Sequence, residues 1–142
     1  MNFSIKTIKN PDLKILRQIK EIYKDAGWWD NTDNINRLAK IVKGSHIFVV
    51  AVHKNKIVAM ARAISDKVND AYIQDFAVLK EFRNKGIGTE ILNFIKDFLI
   101  KKEFKWIGLI SEKKAVSLYK RHGFKIFKEK TPMIYEFKKT GK

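Results

Sequence analysis

The segment Arg83-Asn84-Lys85-Gly86-Ile87-Gly88 marks the point at which the spacing of the apolar residues changes. Residues 71–79, which precede it, alternate in the manner of a β-strand, and the residues that follow repeat at helical spacing. A glycine turn between a strand and a helix leaves backbone N–H groups unpaired at the helix start, where the helix dipole favours negative charge. Arg83 and Lys85 add positive charge there. The segment therefore predicts a loop that binds an anion such as a diphosphate.

The spacing of the glycines excludes two common phosphate-binding loops. The pattern GxxxxGK[ST] is absent from the chain, so the loop is not that of a P-loop nucleotidase. The segment also lacks the third glycine of a Rossmann fingerprint and comes late in the chain. The pattern G-x-G alone is also typical of a strand-to-helix turn that binds no ligand. The residues around it distinguish the two interpretations.

Length and composition predict one soluble domain over residues 1–142. The chain is 45% hydrophobic, which suffices for a core of its own. It has no cysteine, which excludes disulfides, thiolate metal sites and a cysteine nucleophile. We find neither a signal peptide nor a run approaching the ~20 apolar residues of a membrane span. The expected location is the cytoplasm, without a membrane partner.

The charge of the chain is strongly unbalanced. Thirty Lys and Arg residues against fifteen Asp and Glu give a net charge of +15. This favours attraction to polyanions, but a lysine-rich, solvated surface is the simpler explanation. Residues 21–33 and 66–75 are the exception, because together they hold seven of the fifteen acids and only two bases.

The periodicity of the chain predicts an α+β fold with a mixed sheet. Strand–helix–strand segments near the end imply a parallel crossover, whereas the hairpin turn at residues 53–56 implies antiparallel pairing. The predicted order is β-α-α-β-β-β-α-β-α-β-β. The predicted strands are 3–8, 46–52, 57–64, 71–79, 105–110, 124–128 and 133–138, and the helices are about 11–26, 33–44, 87–99 and 112–122.

The sequence around the loop resembles a known motif. Gln74-Asp75-Phe76-Ala77-Val78, four further residues and then Arg83-x-x-Gly86-x-Gly88 resemble the acetyl-coenzyme A-binding motif of the GNAT superfamily of N-acetyltransferases. In that motif a strand ending in Val is followed, after four residues, by Q/R-x-x-G-x-G/A. The predicted element order is also similar to the family fold. The resemblance implies a single GNAT-like domain with a V-shaped splay between the central strands 71–79 and 105–110.

The resemblance implies roles for the loop and its strand. Acetyl-coenzyme A would be the co-substrate, and no metal would be needed. Backbone groups of the strand would bind the pantetheine arm, and backbone amides of the loop would hold the pyrophosphate. The implied cofactor-binding residues are Phe76, Ala77, Val78, Arg83, Asn84, Lys85, Gly86, Ile87, Gly88, Thr89, Ala115 and Tyr119.

A second segment, residues 115–124, resembles the family motif A-x-x-L-Y-x-x-x-G-F. Its Tyr119 carries a phenol whose ordinary pKa is near 10, which suits a general acid that protonates a departing thiolate. A tyrosine at helical spacing is otherwise usually a core residue. Family members often have Asn three residues before Ala115, but here the residue is Glu112, so that cofactor contact is not carried over.

The general base is harder to assign. Some family members place a Glu on the central strand at the position that Tyr72 occupies here. Asp75 lies on the same strand, and strict alternation predicts that it faces away from Tyr72, Gln74, Phe76 and Val78. Asp75 is therefore a candidate for the base or for a structural role.

The acceptor side is expected around Trp28-Trp29-Asp30, because the resemblance implies that the first two helices and their connection set acceptor specificity. An aromatic and acidic wall there, with Tyr72 and Gln74, would attract a cationic amine. A structural alternative is that one tryptophan fills the core. The predicted reaction is acetyl transfer to a primary amine (a small amine, an amino acid, or a peptide lysine or N-terminus) by a monomer or homodimer. The alternatives are a non-catalytic acyl-coenzyme A sensor and a polyanion- or nucleic-acid-binding protein.

Overall fold

The computed structural model describes residues 1–138, which divide into one compact unit, Met1–Leu109, and a second that begins at Ile110. The strands of the first unit are β1 (Ser4–Thr7), β2 (Ile47–His53), β3 (Lys56–Ser65), β4 (Asp70–Val78) and β5 (Trp106–Leu109), and its helices are α1 (Leu13–Asp25), α2 (Ile35–Gly44) and α3 (Ile87–Lys101). The second unit contains α4 (Val116–Arg121). The predicted order of elements is confirmed as far as α4.

Short side chains set the starts of the first two helices. Asp12 caps α1, because its carboxylate accepts a hydrogen bond from the backbone N–H of Ile15 at 2.8 Å. Asn34 caps α2 in a similar way, through the N–H of Asn36 at 2.8 Å. The apolar face of α1 packs on β3 and β4, and α3 packs chiefly on β2 and β3. In the described part of the chain, none of the helices has the length and apolarity to cross a bilayer.

The sheet has the order β1-β2-β3-β4-β5 and is mixed, as predicted. All neighbours are antiparallel except β4 and β5, which run parallel. β5 pairs with β4 from Asp70↔Trp106 to Ile73↔Leu109, and β4 then continues to Val78 without it. β4 therefore extends beyond the end of β5, and within the described chain its edge on that side has no partner strand from Gln74 onward.

A β-bulge interrupts β4 at Asp75. Arg62 is paired with Gln74, but Met60, two residues away, is paired with Ala77, so β4 contains one extra residue here. Asp75 has φ +53°, in the left-handed region. The extra residue breaks the alternation of faces along the strand.

The bulge corrects the predicted direction of the Asp75 side chain. Cross-strand partners share a face of the sheet, so Gln74 lies on the face of Arg62. Asp75 reaches the guanidinium of Arg62 and therefore lies on this face too. The prediction that it faces away from Tyr72 and Gln74 is wrong, since it assumed an unbroken period of two.

The predicted closing strands, 124–128 and 133–138, are not formed: residues 124–138 contain neither strand nor helix. Alternation describes side chains only, whereas a strand also needs the backbone of a partner for its N–H and C=O groups. The apolar residues that suggested these strands remain exposed, as at Ile134 (88%) and Phe137 (81%).

Candidate active site

The loop before α3 has the backbone that the glycine pattern predicts. Asn84 and Gly86 both adopt left-handed conformations, with φ +60° and +83°, and Gly86 is the N-cap of the helix. Glu90 donates to the carbonyl of Gly86 at 3.2 Å. The amides of Ile87, Gly88 and Thr89 precede that bond and have no partner within the helix. These amides form the kind of cradle that binds a diphosphate.

The loop lies against the end of β4. A Cβ built on Gly88 would lie 3.4 Å from the Phe76 ring and 3.7 Å from Val78, whereas one on Gly86 would meet nothing within 4 Å. The Arg83 side chain folds back so that its Nε donates to the carbonyl of Val78 at 3.1 Å. A ligand that bonds to this carbonyl must share it with Arg83 or displace that side chain. The open space, free helix amides and basic residues fit a pyrophosphate next to a pantetheine arm.

Trp28 and Trp29 follow α1 and are held by Tyr23, which was not predicted as a site residue. The backbone N–H groups of both tryptophans donate to the carbonyl of Tyr23, at 3.0 and 3.3 Å. Their rings contact the Tyr23 ring, with centroid distances of 6.0 and 4.8 Å. Trp28 is 41% exposed and Trp29 is half-buried. Neither tryptophan is fully buried, although Trp29 packs on the buried ring of Tyr23.

Asp30 is engaged within its own loop. One of its carboxylate oxygens accepts a hydrogen bond from the N–H of Thr32 at 2.8 Å, and its N–H donates to the carboxylate of Asp33 at 2.8 Å. These bonds order the turn that follows the tryptophans. The side chain of Asp30 is exposed, and that of Asp33 is half-buried.

Asp75 lies in a network with α1 and β3. Its Oδ2 accepts hydrogen bonds from the Tyr23 hydroxyl and from Arg62 Nε, both at 2.6 Å. Arg62 also donates to the hydroxyl of Ser45 at 3.4 Å. Burial, followed by the nearby Asp75 carboxylate, raises the pKa of Tyr23 well above its ordinary value. Tyr23 is thus a permanent donor at neutral pH, and these contacts favour the structural reading of Asp75.

Tyr72 and Gln74 lie on the same face of the sheet as this network. Their partners on β3, Ile64 and Arg62, are two residues apart and therefore share a face, and cross-strand partners lie on the same face as each other. The Tyr72 ring stacks on Trp106, at a centroid distance of 6.3 Å and an interplanar angle of 22°. Trp106 was not predicted as a site residue. The sequence feature that could have pointed to Trp106 is Gly108, two residues later in the strand. A Cβ on Gly108 would lie 2.2 Å from the Trp106 indole, so glycine at this position leaves room for the ring.

Tyr119 lies on α4 in the second unit and is buried. Its ring meets Phe124 edge-on at 5.9 Å, and its carbonyl accepts the N–H of Phe124 at 3.1 Å. Burial and then the charge of Glu112 raise the pKa of Tyr119 to about 12. Ala115, whose N–H donates to the carbonyl of Glu112, ends the 3-10 turn that leads into the helix. The phenol is therefore protonated at neutral pH, as a general acid must be.

An open groove of about 310 Å³ runs along α1, between Arg17 and Lys24 on the helix and Asn31, and contains none of the predicted site residues. Within residues 1–138, no three side chains of His, Cys, Asp or Glu come together in a way that could hold a metal ion.

Comparison with known proteins agrees with this geometry. The family model described as "Acetyltransferase (GNAT) family" matches residues 11–124. The uncharacterized N-acetyltransferase ycf52 of Pyropia yezoensis is 27% identical over 113 residues, which are 77% of this chain, and the chain spans 64% of that relative. A GNAT family acetyltransferase structure from Streptococcus pneumoniae has a TM-score of 0.78 at 24% identity, covering 97% of this chain and all of the other.

A further structural neighbour is an aminoglycoside acetyltransferase from an uncultured soil metagenomic sample, solved in complex with sisomicin. It has a TM-score of 0.71 at 20% identity and covers 97% of both chains. Likeness at such identities shows the fold, whereas the family model covers most of the sequence itself. The family model, with the loop geometry that agrees with it, shows that the chain belongs to the acetyltransferase (GNAT) family.

Proposed function

We propose that this protein transfers the acetyl group of acetyl-coenzyme A to a primary amine. The observation that carries the proposal is the left-handed turn at Asn84 and Gly86, which leaves the first amides of α3 unpaired beside the unpaired end of β4. Such an arrangement suits a long ligand with a diphosphate at one end and an extended arm at the other.

The donor is held mainly by backbone groups. The amides from Arg83 to Thr89 hold the pyrophosphate, and the side chains of Arg83 and Lys85 add charge-assisted contacts. The backbone of Phe76, Ala77 and Val78 pairs with the pantetheine arm as a neighbouring strand would. On donor binding, Arg83 shares or releases the Val78 carbonyl that it contacts at 3.1 Å.

Acetyl-coenzyme A supplies the acetyl group as a thioester. The nitrogen of the neutral amine attacks the thioester carbonyl carbon, the new C–N bond forms and the C–S bond breaks. Tyr119 gives its phenolic proton to the departing sulfur, and a proton from the amine nitrogen passes to water. Tyr119 then regains a proton from solvent, so the products are the N-acetyl amine and free coenzyme A.

Asp75 is assigned a positioning role in this scheme. Its Oδ2 already accepts two hydrogen bonds of 2.6 Å, from Tyr23 and Arg62. These bonds engage this oxygen with Tyr23 and Arg62 inside the fold. In this scheme the amine proton is therefore assigned to water and not to Asp75.

The amine class rests on the aromatic and acidic face around α1 and β4. Trp28 and Trp29 expose ring surface beside the Asp30 turn, and Tyr72 stacks on Trp106 on the same face of the sheet as Gln74. Aromatic faces and carboxylates both favour a cationic group that loses its proton at the site. The neighbour solved with sisomicin is in keeping with an acceptor rich in amino groups.

The decisive experiment is a thiol-release assay with acetyl-coenzyme A and a panel of polyamines, aminoglycosides, amino acids and peptides. We expect one or more amines to raise the rate of thiol release, and mass spectrometry to find the corresponding N-acetyl product. Uncharged and anionic acceptors should not do so. Binding to DNA without binding of coenzyme A would contradict the proposal and favour a polyanion-binding protein.

The variant Tyr119→Phe tests the general acid. We expect kcat to fall about 100-fold, the lower end of what general acid catalysis contributes, while the Kd for coenzyme A measured by calorimetry changes little. Tyr135→Phe is the matched control, because Tyr135 is 78% exposed and has no part in the proposed site. A Tyr119→Phe enzyme with the kcat of the wild type would show that another group protonates the thiolate.

A further inference from the structure

Tyr23 connects two parts of the protein that the proposed reaction uses separately. Its hydroxyl donates to Asp75 at the bulge of β4. Its carbonyl and its ring hold the tryptophan loop, defined here as residues 26–34 between α1 and α2. One side chain therefore touches both the strand expected to bind the donor and the loop expected to meet the acceptor.

The segment Phe76–Val78 lies between two contacts with the end of α1. Before it, Tyr23 bonds to Asp75 at 2.6 Å. After it, the carboxylate of Asp25 accepts the backbone N–H of Lys80 at 2.9 Å. A shift of α1 would therefore move the backbone of this segment at both ends.

The backbone of Asp75 has an uncommon conformation that surrounding contacts help to keep. Its φ of +53° lies in the left-handed region, which few non-glycine residues adopt, although Asp and Asn do so more readily than most. Tyr23 and Arg62 supply those surroundings through the same carboxylate oxygen, with side chains that are largely buried. Without the phenol, Arg62 alone would hold the bulge, and the strand beyond it would be less well ordered.

We propose that Tyr23 is a positioning residue that couples the donor site to the acceptor loop, by tying the tryptophan loop to the bulge at Asp75. The proposal rests on the proposed function, in which Phe76–Val78 contacts coenzyme A. Binding of coenzyme A fixes the strand and, through Tyr23, orders Trp28 and Trp29. Loss of the Tyr23 hydroxyl uncouples these two events.

The test uses coenzyme A as the probe and tryptophan fluorescence as the readout. The background variant Trp106→Phe leaves Trp28 and Trp29 as the only tryptophans of the chain. We expect coenzyme A to change their emission in this background. Adding Tyr23→Phe, which keeps a ring for stacking, should abolish most of that change and raise the Kd for coenzyme A about fivefold, the lower end of typical coupling between sites.

A double-variant cycle identifies the bond responsible. Asp75→Asn keeps a residue that tolerates a left-handed backbone but weakens acceptance from Tyr23. If the two residues act through one hydrogen bond, Tyr23→Phe and Asp75→Asn together should raise the Kd no more than the stronger single variant. Tyr135→Phe in the same background should behave like the background itself.

The outcomes separate this inference from the proposed function. If the Trp106→Phe protein and the wild type both fail to bind coenzyme A in calorimetry, the proposed function is wrong, and the coupling fails with it. If coenzyme A binds but leaves the emission of Trp28 and Trp29 unchanged, only the coupling is wrong. The same conclusion follows if Tyr23→Phe, with a normal thermal melt, retains the full signal and affinity.

Discussion

Tyr119 combines a proposed role in proton transfer with a measurable effect on stability. Because burial and Glu112 raise its pKa to about 12 in the folded protein, the unfolded chain loses this proton first, near pH 10. The unfolding free energy should therefore fall as pH rises from about 10 to about 12, by roughly 2 kcal/mol from this residue. Urea unfolding of wild type and Tyr119→Phe across this range measures the effect. If the unfolding free energies of the two proteins fall in parallel as the pH rises, the pKa of Tyr119 is not raised in the folded protein.

Asp75 illustrates what a local pattern cannot predict. The alternation of residues 71–79 indicated a strand, and the strand is there. The predicted face of the Asp75 side chain was nevertheless wrong, because the bulge at this residue breaks the alternation on which the prediction relied. The sequence offers only weak signs of a bulge, and the partners that hold it, Tyr23 and Arg62, are 52 and 13 residues away.

Among the elements, the loop before α3 allows a comparison of its two glycines. Gly86 has φ +83° and open space around it, whereas a Cβ on Gly88 would make an ordinary contact of 3.4 Å with Phe76. Gly86→Ala should therefore lower stability by about 1 kcal/mol, the cost of a left-handed alanine. Its Kd for coenzyme A should rise, because a relaxed loop no longer directs its amides to the phosphates.

Gly88→Ala is the matched control for this loop, since it adds the same methyl group without left-handed strain. Urea unfolding and calorimetry with coenzyme A measure both effects. We expect Gly88→Ala to retain more stability and more affinity than Gly86→Ala. The reverse order would mean that space beside Phe76, and not the backbone turn, limits the loop.

The strands and helices differ in how far the sequence predicts them. The turn at Lys54 and Asn55, with φ of 46° and 63°, places a tight hairpin between two apolar runs, and the structure contains it. The segments 124–128 and 133–138 alternate as well, but nothing local tells a chain which backbone will pair with it. The type of an element is thus predictable where a local turn or cap determines it. It is less predictable where the element forms only by pairing with a segment that is distant in the sequence.

On the scale of the whole molecule, the net charge of +15 acts in opposite directions on the two substrates. Coenzyme A carries phosphates and is attracted, whereas a cationic amine is repelled at long range. The seven acids of residues 21–33 and 66–75 oppose that repulsion only nearby. The repulsion by the net charge acts over a longer distance than the attraction by the acids, so added salt should weaken the repulsion more than the attraction.

We expect salt to change the two Michaelis constants with opposite signs. The screening length falls from about 30 Å at 0.01 M to about 10 Å at 0.1 M salt. This change removes most of the long-range repulsion of the amine but leaves the short-range attraction to acids and aromatic rings. Steady-state assays across this range should show a rising KM for acetyl-coenzyme A and a falling KM for the best amine of the panel. If both constants rise together, the acids dominate the acceptor's approach even at long range, and the overall charge matters only for the donor.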